Sequence, residues 1–192
     1  MFDRSMPNVS LEMRADITKE IPLWAVPAPY GLRSYRDGEG MAWSEIQHTA
    51  EEFPDAEDAL NRGFNVSFKP DAMLIPGRMF FAVDENDKPV ATASAWFYGD
   101  IGMLHWVAVH GDHQRKGLAR PVISAALRRM QQIGYTKAML HTQPMSWVAI
   151  RLYMEFGFRP VWTDDERTLA GWKAVFEKLG KEFSREVCVE AE

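Results

Sequence analysis

A short segment rich in basic residues has the pattern of a phosphate-binding turn. It covers residues 109–121 (VHGDHQRKGLARP) and joins an apolar stretch to one with helical periodicity. The first amides of a helix lack partners within it and carry the positive end of its dipole, so they attract anions. Gly117 would let an anion approach the main chain, and Ala119 would leave the helix start uncrowded. Positive charge would come from Arg115, Lys116 and Arg120. The alternative is an ordinary surface loop, because neither the dinucleotide fingerprint nor the P-loop pattern is present.

Two further side chains could transfer protons. Tyr153 lies on the apolar side of a predicted helix, and a hydroxyl with a pKa near 10 stays protonated at neutral pH and can donate. His105 lies within the apolar stretch 103–109, and an imidazole titrates near pH 6.5. A purely structural role is the alternative for both residues, as a core aromatic and a hydrogen-bonded core histidine.

The elements that would position these residues form an α/β pattern. Strands are predicted at 9–16 (an edge strand), 30–35, 79–83, 90–97, 103–109, 136–142 and 158–163. Helices are predicted near 41–50, 57–68, 117–133, 149–156 and 169–179. The order indicates a mixed sheet, with a right-handed crossover that makes the strands at 103–109 and 136–142 parallel. The strand at 103–109 is apolar enough to be buried on both faces.

Two motifs in this order resemble those of a known family. Residues 114–119 (QRKGLA) match Q/R-x-x-G-x-G/A, and residues 146–158 (SWVAIRLYMEFGF) resemble N-x-x-A-x-x-L-Y-x-x-x-G-F. Both are similar to signatures of the GNAT superfamily of acyl-CoA N-acyltransferases. The block LHWVAV at 104–109 also resembles its mycothiol-synthase-like and serotonin-type members. The similarity is strongest over residues 79–163 and begins near residue 30.

The resemblance implies a GNAT-like α/β (α+β) fold, with a central mixed sheet of about six or seven strands and helices on both faces. One domain is expected over residues 1–192. It would comprise an N-terminal extension with an edge strand (1–29), the core (30–163), and a C-terminal helix and tail (164–192). Members of the family often end with a hairpin strand, whereas a helix follows residue 163 here. The acceptor side is therefore expected to be closed differently.

The resemblance also implies acetyl-CoA as the acyl donor. Its pyrophosphate would bind the motif turn, and its pantetheine arm would pair with the edge of the strand at 103–109. The implied cofactor-binding residues are Val107, Ala108, Val109, Gln114, Arg115, Lys116, Gly117, Leu118, Ala119, Arg120 and Ser146. Ser146 stands where the family often has asparagine. No metal site is expected.

Within this resemblance, Tyr153 would be the general acid for the departing thiolate. His105 would be the base for a primary amine of a small molecule or peptide. His141, His110, His113 or a water chain ending on a carboxylate are alternatives for the base. The alternatives for function are a protein or N-terminal acetyltransferase, and a catalytically weak domain that senses acyl-CoA. The acidic run Glu51, Glu52, Asp55, Glu57 and Asp58 would attract a cationic acceptor or form a solvated surface.

Composition and charge argue against several other classes of protein and site. The chain has 192 residues, with 22 Lys and Arg against 27 Asp and Glu, and a net charge of −5. Such an acidic balance argues against nucleic acid as a partner. The single cysteine, Cys188, excludes an internal disulfide and a cysteine-rich metal site. With no apolar stretch long enough for a membrane span, the expectation is a soluble cytoplasmic protein. A homodimer is compatible with the resemblance, because dimers are common in the GNAT superfamily.

Overall fold

A mixed seven-stranded sheet runs through the computed structural model, which describes residues 2–190. The strands are β1 (Leu11–Asp16), β2 (Gly31–Ser34), β3 (Met79–Val83), β4 (Pro89–Tyr98), β5 (Ile101–Val109), β6 (Lys137–Thr142) and β7 (Arg159–Pro160). Their order across the sheet is β2-β3-β4-β5-β6-β1-β7. Every neighbouring pair is antiparallel except β5 and β6.

Helical segments join these strands. The α-helices are α1 (Gly40–Thr49), α2 (Ala56–Asp58), α3 (Asn65–Ser67), α4 (Ile75–Arg78), α5 (Ala119–Gln132), α6 (Trp147–Glu155) and α7 (Glu166–Lys178). A π-helical segment, Ala59–Phe64, connects α2 to α3, so the helix predicted near 57–68 is present with a wider middle turn. Short 3₁₀ turns cover Lys69–Leu74, Gly111–His113, Pro144–Ser146 and Arg185–Val187. Among the helices of residues 2–190, none is long and apolar enough to cross a membrane.

Helices cover both faces of the sheet, as predicted. Along β4, Ala91, Ala93 and Ala95 belong to the core cluster that contains the apolar face of α5. Trp96, on the other face of β4, belongs to a second cluster with Trp43 of α1. The predicted parallel crossover is confirmed, because β5, α5 and β6 follow one another and β5 pairs with β6 in parallel.

The prediction that residues 9–16 form an edge strand is wrong. β1 lies between β6 and β7, so both of its edges are paired. Leu11, Met13 and Ala15 alternate into the core with at most 6% exposure, while the intervening residues lie on the opposite face. That alternation predicted a strand correctly, but alternation alone cannot show which strands lie on either side.

The N-terminal strand β1 lies between β6 and β7 and is antiparallel to both. The strand predicted at 158–163 shortens to β7, which Val161 extends by one bridge to Val189. Helix α7 follows instead of another strand and packs behind β1. Gly171 makes this packing possible, since a Cβ there would lie 2.6 Å from Cγ1 of Val9.

Candidate functional site

A bulge interrupts the pairing of β4 with β5 near the middle of β5. The register shifts between Thr92 and Ser94, where Ser94 pairs with His105. Trp106 has φ of 49°, a conformation that costs a non-glycine residue about 1–2 kcal/mol. The bulge breaks the usual alternation of side chains, so His105 and Trp106 lie on the same face with ring centroids 5.4 Å apart. The His105 ring also lies 5.8 Å from that of Phe68.

A cavity opens where β5 and β6 separate. The two strands pair through only two residues of β5, Gly102 and Met103. Beyond them lies a cavity of about 480 Å³, walled by β5, β6, α6, the residues before β1 and one residue of the loop after α1. The residues at 103, 105, 106, 107 and 109 are consequently half-buried, so the prediction that this strand is buried on both faces is wrong.

The free edge of β5 directs main-chain groups toward this opening. Ala108 pairs with β4, and His110 donates its N–H to a β4 carbonyl at 2.8 Å. By the alternation of a strand, Val107 and Val109 then direct their amides away from β4. Gln114 donates its side-chain Nε2 to the Val109 carbonyl at 3.2 Å. The N–H groups of Val107 and Val109 are left as the donors along this edge.

The turn at residues 115–118 presents several main-chain donors together. Arg115 and Gly117 have φ of 60° and 80°. Within the described part of the chain, no N–H of residues 115–118 donates to a protein acceptor. A Cβ added to Gly117 would meet no non-adjacent atom closer than 3.9 Å, so the turn is open to a ligand. Helix α5 begins at Ala119 with no acidic residue in its first turn, which leaves its positive end uncompensated.

The side chains around the turn differ in how free they are. Leu118 is buried, at 1% exposure, and anchors the turn to the core. Arg120 makes two hydrogen bonds of 2.9 Å to the Glu155 carboxylate, so most of its predicted positive charge is already compensated. Lys116 is exposed, with Nζ 5.9 Å from the centre of the Tyr30 ring.

Tyr153 lines the cavity from α6. It is 8% exposed, and its ring lies 6.2 Å from that of Phe158. Its hydroxyl has no hydrogen-bond partner among the described residues. Burial raises the pKa of Tyr153 well above its usual value, and the negative charge of Glu52 adds to that effect. The hydroxyl is therefore a proton donor throughout the neutral range.

His105 lines the cavity from β5, and His141 lines it from β6. Burial lowers the pKa of His105 to about 4, and the neighbouring His141 contributes in the same direction. The imidazole of His105 is therefore neutral at physiological pH and a weak proton acceptor. The other two histidines considered, His110 and His113, belong to the turn beyond β5 and do not line the cavity.

Glu52 lines the cavity, and the sequence patterns did not distinguish it from the rest of the acidic run. Of the acidic run after α1, it is the member that lines the cavity. Glu51 beside it has φ of 71°, and this left-handed turn separates the directions of the two side chains. Nothing in the order of residues 51–58 distinguishes one acidic side chain from the next, so only the loop geometry could reveal it.

The remaining wall comes from α6 and the N-terminal segment. Ser146 lines the cavity at the start of α6, where its hydroxyl makes no capping bond. Asn8, Val9 and Ser10, just before β1, close the side opposite β5. Helix α7 packs against β1 and contributes no described residue to the cavity lining. The expected difference in how the acceptor side is closed stays a prediction.

The match to a protein-family model identifies the fold. Residues 40–158 match the model of the acetyltransferase (GNAT) family, a range that contains the bulge, the turn and Tyr153. The chain belongs to the GNAT family. The GNAT fold predicted from the two sequence motifs is thereby confirmed.

Individual proteins similar to this chain agree with the match to the GNAT family model. The mycothiol acetyltransferase of Acidothermus cellulolyticus is 27% identical over an alignment of 175 residues that covers 82% of this chain and 53% of that protein. A GCN5-related N-acetyltransferase from Sphaerobacter thermophilus superposes with a TM-score of 0.65 at 20% identity, over 80% of this chain and 49% of the other. The ribosomal-protein-S18-alanine N-acetyltransferase of Escherichia coli gives 0.51 at 25% identity, over 67% and 76%. The chain thus spans about half the length of the first two relatives.

Proposed function

We propose that this GNAT protein is an acetyl-CoA-dependent N-acetyltransferase that transfers an acetyl group directly to a primary amine. The observation that supports this most strongly is the presence of two sets of main-chain donors. One is the turn of residues 115–118, and the other is the free edge of β5, which leads to the cavity that Tyr153 lines. A ligand with phosphates at one end and an extended amide-containing arm is complementary to these two sets of donors.

The cofactor residues have separate tasks in this proposal. The amides of residues 115–118 bind the pyrophosphate, with the uncompensated positive end of α5 behind them. Val107 and Val109 pair with the pantetheine arm as an added strand would. A β5 amide that faces the thioester carbonyl also stabilises the negative charge developing on its oxygen. Ser146 supplies a hydroxyl at the α6 side of the arm.

Tyr153 supplies the proton for the departing thiolate. Its raised pKa keeps it protonated, and its hydroxyl has no competing partner among the described residues. His105, neutral and half-buried, accepts a hydrogen bond from the acceptor and orients it. The sequence-based role of His105 as the base stays a prediction. An imidazole with a pKa of about 4 is poorly matched to an ammonium with a pKa of about 10.4.

The size of the cavity favours a small acceptor over a folded protein. Its volume of about 480 Å³ lies in the range of small-molecule sites, about 300–1,000 Å³. Residues 8–10 form part of its wall, which leaves less room for a long peptide. An acyl-CoA sensor with little turnover would not need the buried hydroxyl of Tyr153 to face the cavity.

Calorimetric titration with acetyl-CoA tests the proposal, using two isosteric variants of the turn. Gly117→Asn and Gly117→Asp have side chains of the same size at the same left-handed position, so they share any backbone strain. Only aspartate adds negative charge beside the pyrophosphate. We expect one-to-one binding by the wild type, and at least tenfold weaker binding by Gly117→Asp than by Gly117→Asn.

Equal affinities of the two variants would remove the phosphate role of the turn. Absence of binding by the wild type at millimolar acetyl-CoA would refute the proposed function altogether. Release of free CoA thiol with a panel of primary amines then tests transfer. Binding without turnover of any amine would favour the sensor instead.

A further inference from the structure

The cavity contains a carboxylate that the steps above do not use. Among the described residues, the Glu52 side chain makes no hydrogen bond and no ion pair. The described residues that line the cavity include no lysine or arginine. An unpaired carboxylate in a partly enclosed site is costly unless a cation joins it. The cavity is therefore complementary to a ligand that brings a positive charge.

The main chain on both sides of Glu52 is held in place. Its N–H donates to the Gln47 carbonyl at 3.0 Å, and the Gln47 side chain donates to the Trp106 carbonyl at 3.3 Å. On the other side, the Phe53 ring lies 5.4 Å from that of Trp106, and the Phe53 carbonyl is 3.1 Å from Nδ1 of His48. The Gln47 and Phe53 contacts both reach Trp106 in the β5 bulge, so the main chain of Glu52 is held beside the cavity that its side chain lines.

The electrostatic surroundings suit a proton acceptor. Glu52 is exposed as a whole residue but lines the cavity. Desolvation of its carboxyl raises the pKa of Glu52 to about 7. The other titratable residues that line the cavity are His105 from β5, His141 from β6 and Tyr153 from α6. The positive charge of the chain's N-terminal amine acts on Glu52 in the opposite direction to burial and lowers its pKa, but burial is the larger effect. A base with a pKa near the working pH is the most effective, and a neighbouring acid with a much higher pKa completes the pair.

We propose that Glu52 binds the ammonium group of the acceptor and removes its proton, which makes the acceptor class a cationic primary amine. This inference rests on the proposed transfer function. Glu52 takes one proton from the ammonium and later releases it to water. The nitrogen lone pair forms the C–N bond, and the C–S bond breaks with its electron pair on sulfur. Tyr153 gives its proton to that sulfur, and the excess proton on the new amide nitrogen restores the tyrosine through solvent.

A binding test uses protein labelled with ¹³C at the glutamate carboxyls and hexylammonium chloride as the probe. We expect one carboxyl to titrate near pH 7 in the wild type and in the neighbouring control Glu51→Gln, and to be absent in Glu52→Gln. Hexylammonium should lower that midpoint, because an opposite charge favours the ionised carboxylate. A Glu52 midpoint near 4.5 that hexylammonium does not move would overturn the proposal.

A kinetic test follows kcat/KM against pH with a series of primary amines. In the wild type and Glu51→Gln, the rate should rise through about pH 7. Glu52→Gln should lose about 10²–10⁴-fold in kcat and lack that rise. His105→Asn should retain the rise of kcat/KM through about pH 7. If the His105→Asn variant lacked that rise, His105 would be the base and the assignment of Glu52 would be refuted.

Calorimetry separates failure of this inference from failure of the proposed function. If every variant binds acetyl-CoA like the wild type and Glu52→Gln turns over normally, only the role of Glu52 fails. If the wild type binds no acetyl-CoA, the proposed function fails, while a hexylammonium-sensitive Glu52 would still support an amine site. Binding of acetyl-CoA with turnover of no amine would overturn both the transfer and the role of Glu52 as base.

Discussion

The two ends of the site are made from different parts of the chain. The turn at residues 115–118 offers main-chain amides and a helix end, and its Arg115 and Lys116 are exposed. The cavity offers side chains of β5, α6 and the loop after α1, brought together by a bulge. A site built from amides tolerates many side chains, whereas a site built from side chains depends on each one. Substitutions should therefore affect turnover in the cavity far more than they affect affinity at the turn.

The largest contrast should come from the two tyrosines of these regions. Tyr153→Phe removes the proton donor, so kcat should fall by about 10²–10⁴-fold with acetyl-CoA affinity nearly unchanged. Tyr30→Phe removes only a 3.0 Å contact with Nδ1 of His113 beside the turn, and turnover should stay within about twofold. Steady-state kinetics with calorimetry on both variants measures this. Similar losses of kcat in the two variants would contradict the proposed difference between the cavity and the turn.

Stability against pH should sharpen the contrast within the cavity. The folded-state pKa of Glu52 is raised to about 7, so the folded protein binds more protons than the unfolded chain between about pH 4.5 and 7. The stability that the protonated Glu52 contributes is therefore lost as pH rises from about 4.5 to 7. Glu52→Gln should then melt about 2–4 °C higher than the wild type at pH 8, and differ less at pH 5. A lower melting temperature at pH 8 would argue against an unpaired carboxylate.

His105 should have the opposite pH dependence. Its folded-state pKa is lowered to about 4, so the unfolded chain binds more protons between about pH 4 and 6.5. Stability is lost as pH falls through that window. His105→Asn should lose less stability than the wild type between pH 6.5 and 4.5, as measured by denaturant unfolding. Parallel curves for the two proteins would show that His105 is not buried as described.

The smallest effect should come from a side chain at the turn. Lys116 is exposed and its ammonium is not held by a carboxylate among the described residues. Lys116→Gln should weaken acetyl-CoA binding by about two- to fivefold, the range of an exposed charge pair, and the loss should shrink at high salt. A loss above a hundredfold, independent of salt, would mean that side chains dominate the turn as well.

The difference between the main-chain turn and the side-chain cavity also explains which parts of the site could be predicted from the sequence. The turn was predictable because a glycine at fixed spacing before an apolar helix has a direct conformational meaning at Gly117. The crossover of β5, α5 and β6 was predictable because periodicity and handedness determine it. The bulge at Trp106 has no such marker, since a tryptophan in a left-handed conformation is held there by its packing. The position of Glu52 depends on that packing, so it was indistinguishable from its acidic neighbours.

The location of β1 was hidden for a related reason. Its alternating pattern predicts a strand. Its pairing partners depend instead on how the other strands of the sheet are arranged, which the pattern does not contain. Leu11 and Met13 are fully buried, which an edge strand with one open side rarely achieves for both residues. The short β7, two residues long, has too weak a pattern to indicate where the sheet ends.

The placement of β1 also determines when the protein can finish folding. β1 leaves the ribosome well before its partners, which begin only at Lys137 and Arg159. Its apolar side must wait, unpaired, while most of the chain is synthesised, and such late long-range pairing slows folding and exposes aggregation-prone surface. The segment that waits includes the residues that close the cavity. The cavity should therefore be completed after the turn at residues 115–118 has formed.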